Sequence, residues 1–446
     1  MSLDLAQNDS PELTSVEQCI DWIREGERKP QGFLLGLEHE KFLYPTGGSA
    51  PVPYEGPSGV GALLDALTPQ GYTPFREAPD RPVIALARDK ATISLEPGGQ
   101  FELSGSPFQT AREAHAENLR HLREVRDTAA GLGLSLVTLG YRPTLTHRDI
   151  PWMPKSRYGA MREQLPIRGG RALDMMLMTC TGQVSLDWSD EADCVRKTVL
   201  SARVSPLLLA LFANSPLQEG RPAGLMSVRS RVWDAVDPTR CGYLPSFFDG
   251  SFSYRAYVEW ALAAPMLFLR RDGAYLDPAM TFGDLLKKGY QGSPATVSDW
   301  QDHLSTLFPE VRLKRVMEIR AADAVGGELT GALPALMRGL LYAPSALDEA
   351  EQLLPKLTYA EHQRFHREAQ EKGLGGQLDR APIAELAREL VEIAHRGLLA
   401  IDPADAPLLE PLRAVAASGR SPAMDVLDAW HADPRPEALL ARFSVR

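Results

Sequence analysis

Two short segments of this chain set glutamates at alternating positions, Leu37-Glu38-His39-Glu40-Lys41-Phe42 and Ile93-Ser94-Leu95-Glu96-Pro97-Gly98-Gly99-Gln100-Phe101-Glu102-Leu103. In an extended strand successive side chains point to opposite faces, so Glu38 and Glu40 share one face while Leu37, His39 and Lys41 take the other. Pro97-Gly98-Gly99 is turn chemistry, which folds Ser94 and Glu96 back beside Gln100 and Glu102 and leaves Ile93, Leu95, Phe101 and Leu103 on a buried face. Acids this close repel unless a cation compensates them, and hard Mg²⁺ or Mn²⁺ suits an all-oxygen donor set. A solvated acidic face on an exposed sheet is the plainer alternative. The glycine turn and the lack of interleaved lysines on that face favour metal binding.

The chain has 446 residues and a formal charge of −10, enough length for a large core and for two or three domains. Its acidic balance excludes a general nucleic-acid or membrane-surface binder, although basic residues can still cluster around an anionic ligand. No apolar run approaches the ~20 residues of a membrane span. The opening residues, Met1 to Ser10, have neither a basic start nor an apolar stretch, so the expectation is a soluble cytoplasmic protein. Cys19, Cys180, Cys194 and Cys241 are far apart and form no CxxC pair, and they read as free thiols.

Helical periodicity covers about residues 12–28 and 109–133, and Leu134 to Tyr141 then reads as a strand. A second change from helix to strand falls within Arg171–Asp187, where Gln183, Ser185 and Asp187 share one face. A long helix follows over Val195–Phe212, stopped by Asn214-Ser215-Pro216. Residues 214–251 are rich in Gly, Pro, Ser and Arg and are too long for an idle connection, so a substrate loop is expected there. Val311 to Arg320 alternates as a strand, with Val311, Leu313, Met317 and Ile319 on one side and Arg312, Lys314, Glu318 and Arg320 on the other. Beyond about residue 328 only amphipathic helices are expected, giving a catalytic body over 1–327 and a helical region over 328–446 packed on it. The fold class is therefore α+β with a mostly antiparallel sheet.

The polar strand faces offer Glu38, Glu40, Glu96, Gln100, Glu102, Gln183 and Glu318 beside Arg312, Lys314 and Arg320. A site of both signs suggests a metal–nucleotide complex meeting an anionic substrate. Two or three Mg²⁺ ions would bridge carboxylates and phosphates, and the basic residues Arg312, Lys314 and Arg320 would stabilise the transferred phosphoryl group and the leaving ADP. The segment 311–320 by itself reads equally as a solvated edge strand. Trp152-Met153-Pro154-Lys155-Ser156-Arg157-Tyr158 places two cations and two aromatics before a helix, and reads either as an anion-holding loop or as an ordinary helix entrance. In Leu225 to Trp233, Arg229 and Arg231 share a face if the chain is extended, and fork-shaped guanidinium groups suit an α-carboxylate.

Other patterns are expected to be inert. Gly56-Pro57-Ser58-Gly59-Val60-Gly61 has no preceding strand and the wrong order for a dinucleotide fingerprint, so it reads as a turn and helix start. His39-Glu40 lacks the second histidine of a zinc protease, and no P-loop occurs. His115 and His121 are expected to lie exposed on their helix, and Cys180 to be a buried structural thiol.

Six blocks, taken together and in order, carry a family resemblance. They are Gly36 to Phe42, Ser94 to Ser104, Met153-Pro154-Lys155-x-Arg157-Tyr158, Leu173-Asp174-Met175-Met176 with Thr179-Cys180-Thr181, Leu211 to Pro216, and Phe308 to Arg315. From about residue 33 to 323 the chain resembles glutamate–cysteine ligases of the plant and proteobacterial type. The resemblance implies ATP-dependent joining of the L-glutamate γ-carboxylate to the L-cysteine amine through a γ-glutamyl phosphate, the first step of glutathione synthesis. It implies a curved antiparallel sheet forming a funnel, related to the glutamine synthetase catalytic domain. A monomer or a homodimer is expected, and the sequence does not choose between them. By the same resemblance Glu38, Glu40, Glu96, Glu102 and Glu318 are the expected Mg²⁺ ligands, with Gln183 at a related strand position. Arg229, in Ser227-Val228-Arg229-Ser230, is an expected glutamate-binding residue and Arg320 a phosphate-stabilising one; Arg231, Arg157, Lys155 and Tyr158 complete the candidate substrate set. Ala321-Ala322-Asp323-Ala324 departs from the Gly-Ala-Asp-Gly that usually follows the arginine. Two rival readings are a ligase of the same fold with another amine acceptor and a non-catalytic metabolite-binding regulator.

Overall fold

A computed structural model describes residues 10–446. Its centre is a nine-stranded, wholly antiparallel sheet. In chain order the strands are β1 (Leu35–Pro45), β2 (Thr73–Phe75), β3 (Ala85–Arg88), β4 (Ala91–Leu95), β5 (Phe101–Ser104), β6 (Leu134–Val137), β7 (Thr181–Leu186), β8 (Val311–Leu313) and β9 (Met317–Asp323). Across the sheet they run β8-β9-β7-β1-β5-β4-β3-β2. The long strand β1 serves two neighbourhoods: residues 38–41 pair with β5 and 35–39 with β7, while Phe42–Pro45 pair with β6. The sheet is open, with β8 and β2 at its edges.

The alternation read from the sequence sets the packing. Leu35 and Leu37 of β1, Val184 and Leu186 of β7, and Met317 and Ile319 of β9 join one buried cluster, whose helical side is α2 (Glu191–Phe212), six consecutive residues of which, Leu207 to Phe212, are fully buried. Each such leucine or phenylalanine contributes about 1.5–3 kcal/mol. Asp190 caps the start of α2 and Thr110 that of α1 (Ala111–Gly131), the latter in a reciprocal capping box with Glu113. The C-terminal helices enter the same core: Leu333, Leu336 and Leu340 of α4 (Leu329–Tyr342) and Leu390, Val391 and Leu398 of α5 (Ile383–Ile401) belong to that cluster. A two-strand hairpin, Gln377–Leu378 with Ala381–Pro382, interrupts the otherwise helical region beyond residue 328. Among the described residues no helix is long and apolar enough to cross a membrane.

Several expectations are corrected. The segment 311–320 is a hairpin, β8 and β9, turned by Lys314-Arg315-Val316, with Arg312 opposite Glu318. His115 and His121 are buried, because α1 covers the back of the sheet, where His121 Nε2 lies 2.9 Å from Lys41 Nζ and Asn118 Oδ1 lies 3.2 Å from His39 Nδ1. Residues 225–233 are not extended: Ser227 caps a short helix, α3 (Val228–Trp233). Residues 214–251 fold into short strands and helices rather than an open loop.

Candidate active site

The face of the sheet opposite α1 lines a cavity of about 450 Å³. Glu38, Glu40, Glu96, Glu102, Gln183, Arg157, Tyr158, Arg229, Arg312, Lys314 and Arg320 all border it. Strand register explains the convergence. Glu40 stands directly opposite Glu102, and Glu38 lies between Ser104 and Gln183 on the neighbouring strands. Glu96 follows β4, where the Pro97-Gly98-Gly99 turn brings Gly99 N to the Glu96 carbonyl at 2.9 Å. Gly99 adopts φ +78°, and a Cβ on Gly98 would sit 2.6 Å from the Leu177 carbonyl oxygen, so the turn requires both glycines. Gln100 also borders the cavity, but its amide is engaged: it accepts from Gly98 N and donates to the carbonyls of Met176 and Thr179, fixing that turn against its neighbour.

On β9 a bulge sets Arg320 and Ala321 against Gln183 alone, between the pairs Ile319–Val184 and Ala322–Gly182. Such a bulge re-aims a side chain; here Arg320 Nη1 donates to Gln183 Oε1 at 2.6 Å and to Glu318 Oε2 at 2.7 Å. Gln183 thus engages Arg320 with the one oxygen it would offer a metal.

The acids divide electrostatically. Glu318 is compensated, with Arg312 Nη2 at 2.6 Å from its Oε2 and Lys314 Nζ at 3.6 Å from its Oε1. Burial pushes its carboxyl upward, but Arg312, Lys314 and Arg320 outweigh that and hold it far below the usual carboxylate range. Glu38, Glu40 and Glu96 are not balanced; Glu102 is, burial pushing its carboxyl up while the Ser104 hydroxyl, Lys155 and a hydrogen bond from Glu96 hold it below the usual range. Burial raises Glu40, with Glu102 and Glu96 adding to the shift; burial raises Glu38, with Glu318 and Glu102 adding; and burial beside Glu102 lifts Glu96 to about 7. Glu102 accepts from Ser94 Oγ at 3.3 Å and Ser104 Oγ at 2.5 Å, and Glu40 from Thr181 N at 2.9 Å. Buried carboxylates that repel one another fit a hard divalent cation. Among the described residues no three acids, histidines or cysteines close a metal site by themselves. Each ion would take few protein ligands and complete its sphere with water and phosphate oxygens, the habit of Mg²⁺.

The basic wall opposes these acids. Arg229 is buried at the start of α3, donating from Nη2 to the Arg320 carbonyl at 2.9 Å. Arg231, two residues on, leaves the cavity: its side chain is 43% exposed and turns toward Asp234. Helical geometry puts residues two apart on different sides, which corrects the shared face expected for an extended chain. Arg157 and Tyr158 sit in the first turn of the helix Ser156–Gln164, and Tyr158 donates to the Leu95 carbonyl at 2.5 Å, so its hydroxyl braces β4. Lys155 does not border the cavity. It is buried with Nζ 5.5 Å from the Tyr158 ring centre, and burial draws its pKa down while Glu96 and Glu102 act the other way. Trp233, Phe308 and Arg270 also line the cavity and were not singled out in the sequence. Trp233 and Phe308 flank the Arg320 guanidinium at 5.6 and 5.9 Å. The one available signal was aromatics spaced among the arginines.

Comparison with known proteins agrees with this geometry. The family model described as Glutamate-cysteine ligase family 2 matches residues 34–440. The chain is 37% identical over 425 residues to the chloroplastic glutamate–cysteine ligase of Medicago truncatula, covering 94% of this chain and 83% of that protein. It is 37% identical over 421 residues to the chloroplastic enzyme of Arabidopsis thaliana, covering 94% and 80%. The crystal structure of the Francisella tularensis glutamate–cysteine ligase in complex with AMP superposes with a TM-score of 0.58 at 14% identity, covering 92% of this chain and 87% of that one, and shows the shared fold. These relatives overturn the cytoplasmic expectation, since the plant proteins are named as chloroplastic. The first nine residues, on which most of that expectation rested, lie outside those described, and a targeting leader is removed from a mature chain, so their composition assigns no compartment. Sequence match, fold and the acid-and-arginine cavity agree: the chain belongs to glutamate–cysteine ligase family 2.

Proposed function

We propose that this cavity joins the γ-carboxylate of L-glutamate to the amine of L-cysteine at the expense of ATP, through a γ-glutamyl phosphate. The observation that supports it most is the opposition, across one cavity, of the under-compensated acids Glu38, Glu40 and Glu96 and of arginines on β8, β9 and α3. Glu38, Glu40, Glu96, Glu102 and Glu318 would hold two or three Mg²⁺ ions, with Mn²⁺ as an alternative. When bound, these ions neutralise phosphate charge and polarise the transferred phosphoryl group.

The residues of the chain then divide the work. Arg229 receives the α-carboxylate of glutamate, for which a buried fork-shaped cation is suited. Arg320, oriented by Gln183 and Glu318, contacts the oxygens of the phosphoryl group in transfer, and Arg312 and Lys314 carry the charge that develops on ADP. Arg157 borders the same cavity, donating to Ser305 Oγ at 3.3 Å. The γ-carboxylate oxygen attacks the γ-phosphorus and ADP leaves; the cysteine amine then attacks the acyl carbon, phosphate departs and the amine loses its proton. An acyl phosphate hydrolyses readily, so the walls, including Trp233 and Phe308, must limit water until the amine arrives. The test is ADP release with glutamate alone, with glutamate and cysteine, and with glutamate and other amines, products being identified by mass. Cysteine-dependent formation of γ-glutamylcysteine is expected. A preference for another amine would reassign the acceptor, and no release with any amine would leave a binding protein.

A further inference from the structure

Asp323 ends β9 fully buried and outside the cavity lining, yet three hydrogen-bond donors converge on it. Its Oδ2 accepts from Asn214 N at 2.8 Å and Ser215 Oγ at 2.6 Å, and its Oδ1 accepts from Ser227 Oγ at 2.8 Å. Arg229 Nη1 lies 3.8 Å from Oδ1. The two serines are themselves tied to the same arginine segment: Ser215 Oγ accepts from Arg229 N at 3.2 Å, and Ser227 Oγ caps α3 through Ser230 N at 3.1 Å. The space around the carboxylate is built for it, since a Cβ on Gly140 would fall 2.5 Å from Asp323 Cγ.

A buried guanidinium without a fixed counter-charge is costly and has no reason to hold one orientation. Arg229 is anchored from behind by Asp323 and by the Arg320 carbonyl, while its buried Nε has no protein acceptor. We propose that Asp323 is a positioning residue that aims Arg229 into the cavity and joins β9, residues 214–215 and α3 into one rigid receptor for the substrate α-carboxylate. This inference rests on the reading of Arg229 as a glutamate-binding residue. Asp323 touches no reacting atom. It acts only through the arginine, so its removal must appear in glutamate binding rather than in nucleotide binding or the chemical step.

The test is a double-mutant cycle with Arg229→Ala and Asp323→Asn, measuring KM for glutamate, KM for ATP, kcat and melting temperature. Asp323→Asn is expected to raise the glutamate KM more than tenfold, with kcat within about threefold and the ATP KM within about twofold of the unmodified enzyme. In the Arg229→Ala background the same change is expected to shift the glutamate KM less than twofold, because the group it positions is gone. A glutamate KM that stays within twofold in folded Asp323→Asn, equal rises in both KM values, or full additivity in the double variant would each overturn the inference. Arg229→Ala alone with an unchanged glutamate KM would instead remove the reading beneath it, and that result is visible before Asp323 is altered. If Asp323→Asn does not fold, Ser215→Ala, which removes one donor and keeps the charge, decides: a severalfold rise in glutamate KM supports the inference and an unchanged value overturns it.

Discussion

Glu40 of β1 and Glu102 of β5 stand directly opposite one another across an antiparallel pair, both on the cavity face. Opposed positions place their Cβ atoms about 4.5–5.5 Å apart, where like charges destabilise a sheet. The structure therefore holds an electrostatic cost in place at the centre of its site, which a bound cation would relieve.

A dependence on pH follows. A carboxyl raised in the folded state keeps its proton after the unfolded chain has lost it, so it costs stability as pH rises through that window. For Glu96 the window runs from the usual 4.5 to about 7, and Glu38 and Glu40 shift in the same direction. Divalent cations must displace those protons, so the gain in melting temperature on adding Mg²⁺ is expected to be small at pH 5 and to grow as pH rises through 7. Thermal melts from pH 5 to 8, in Mg²⁺ and in chelator, measure this. A gain that does not change with pH would contradict the raised carboxyls.

The two electrostatic groups should respond to substitution in opposite directions. Glu318→Gln removes the counter-charge of Arg312 and Arg320, both buried, and should destabilise the protein by about 3–5 kcal/mol as well as abolish turnover. Glu40→Gln removes one of a repelling pair and should leave metal-free stability unchanged or higher while lowering turnover at least a hundredfold. Denaturant melts in chelator separate the two, and equal destabilisation in both variants would refute the division.

The turn after Glu96 has no slack. In Gly98→Ala the new methyl meets the Leu177 carbonyl, so a loss of about 1–3 kcal/mol is expected from overpacking, together with a loss of Mg²⁺ affinity as Glu96 moves. Melting and metal titration test this. An unchanged melting temperature would mean that the turn tolerates a side chain.

Arg231→Ala should leave the glutamate KM within about twofold, because this residue faces solvent and Asp234 and surface ion pairs contribute about 0–1 kcal/mol. A tenfold rise would return Arg231 to the site.

The acidic faces were legible in the sequence because a period of two is a local property, and so were the glycine turn, α1 and the long helix α2. The hairpin of β8 and β9 was not, since Lys314-Arg315-Val316 contains no glycine or proline and both arms continue one alternation. Arg231 was misplaced although Ser227 is a good helix cap, because a six-residue helix gives too little periodicity to compete with an alternating pattern. His121 is buried against Lys41, 80 positions away, and His115 meets Glu328, 213 positions away, which no local rule expresses. Asp323 was visible only as part of an atypical block; its partners at 214, 215, 227 and 229 come together through tertiary folding.

The γ-carboxylate of glutamate is phosphorylated in this cavity before the amine attacks. The direct measurement supplies L-glutamate labelled with ¹⁸O in the γ-carboxylate, with ATP, Mg²⁺ and cysteine, and analyses the released phosphate by mass. One ¹⁸O carried into phosphate per peptide bond formed is expected; unlabelled phosphate, with both labels accounted for in peptide and water, would rule out the acyl phosphate.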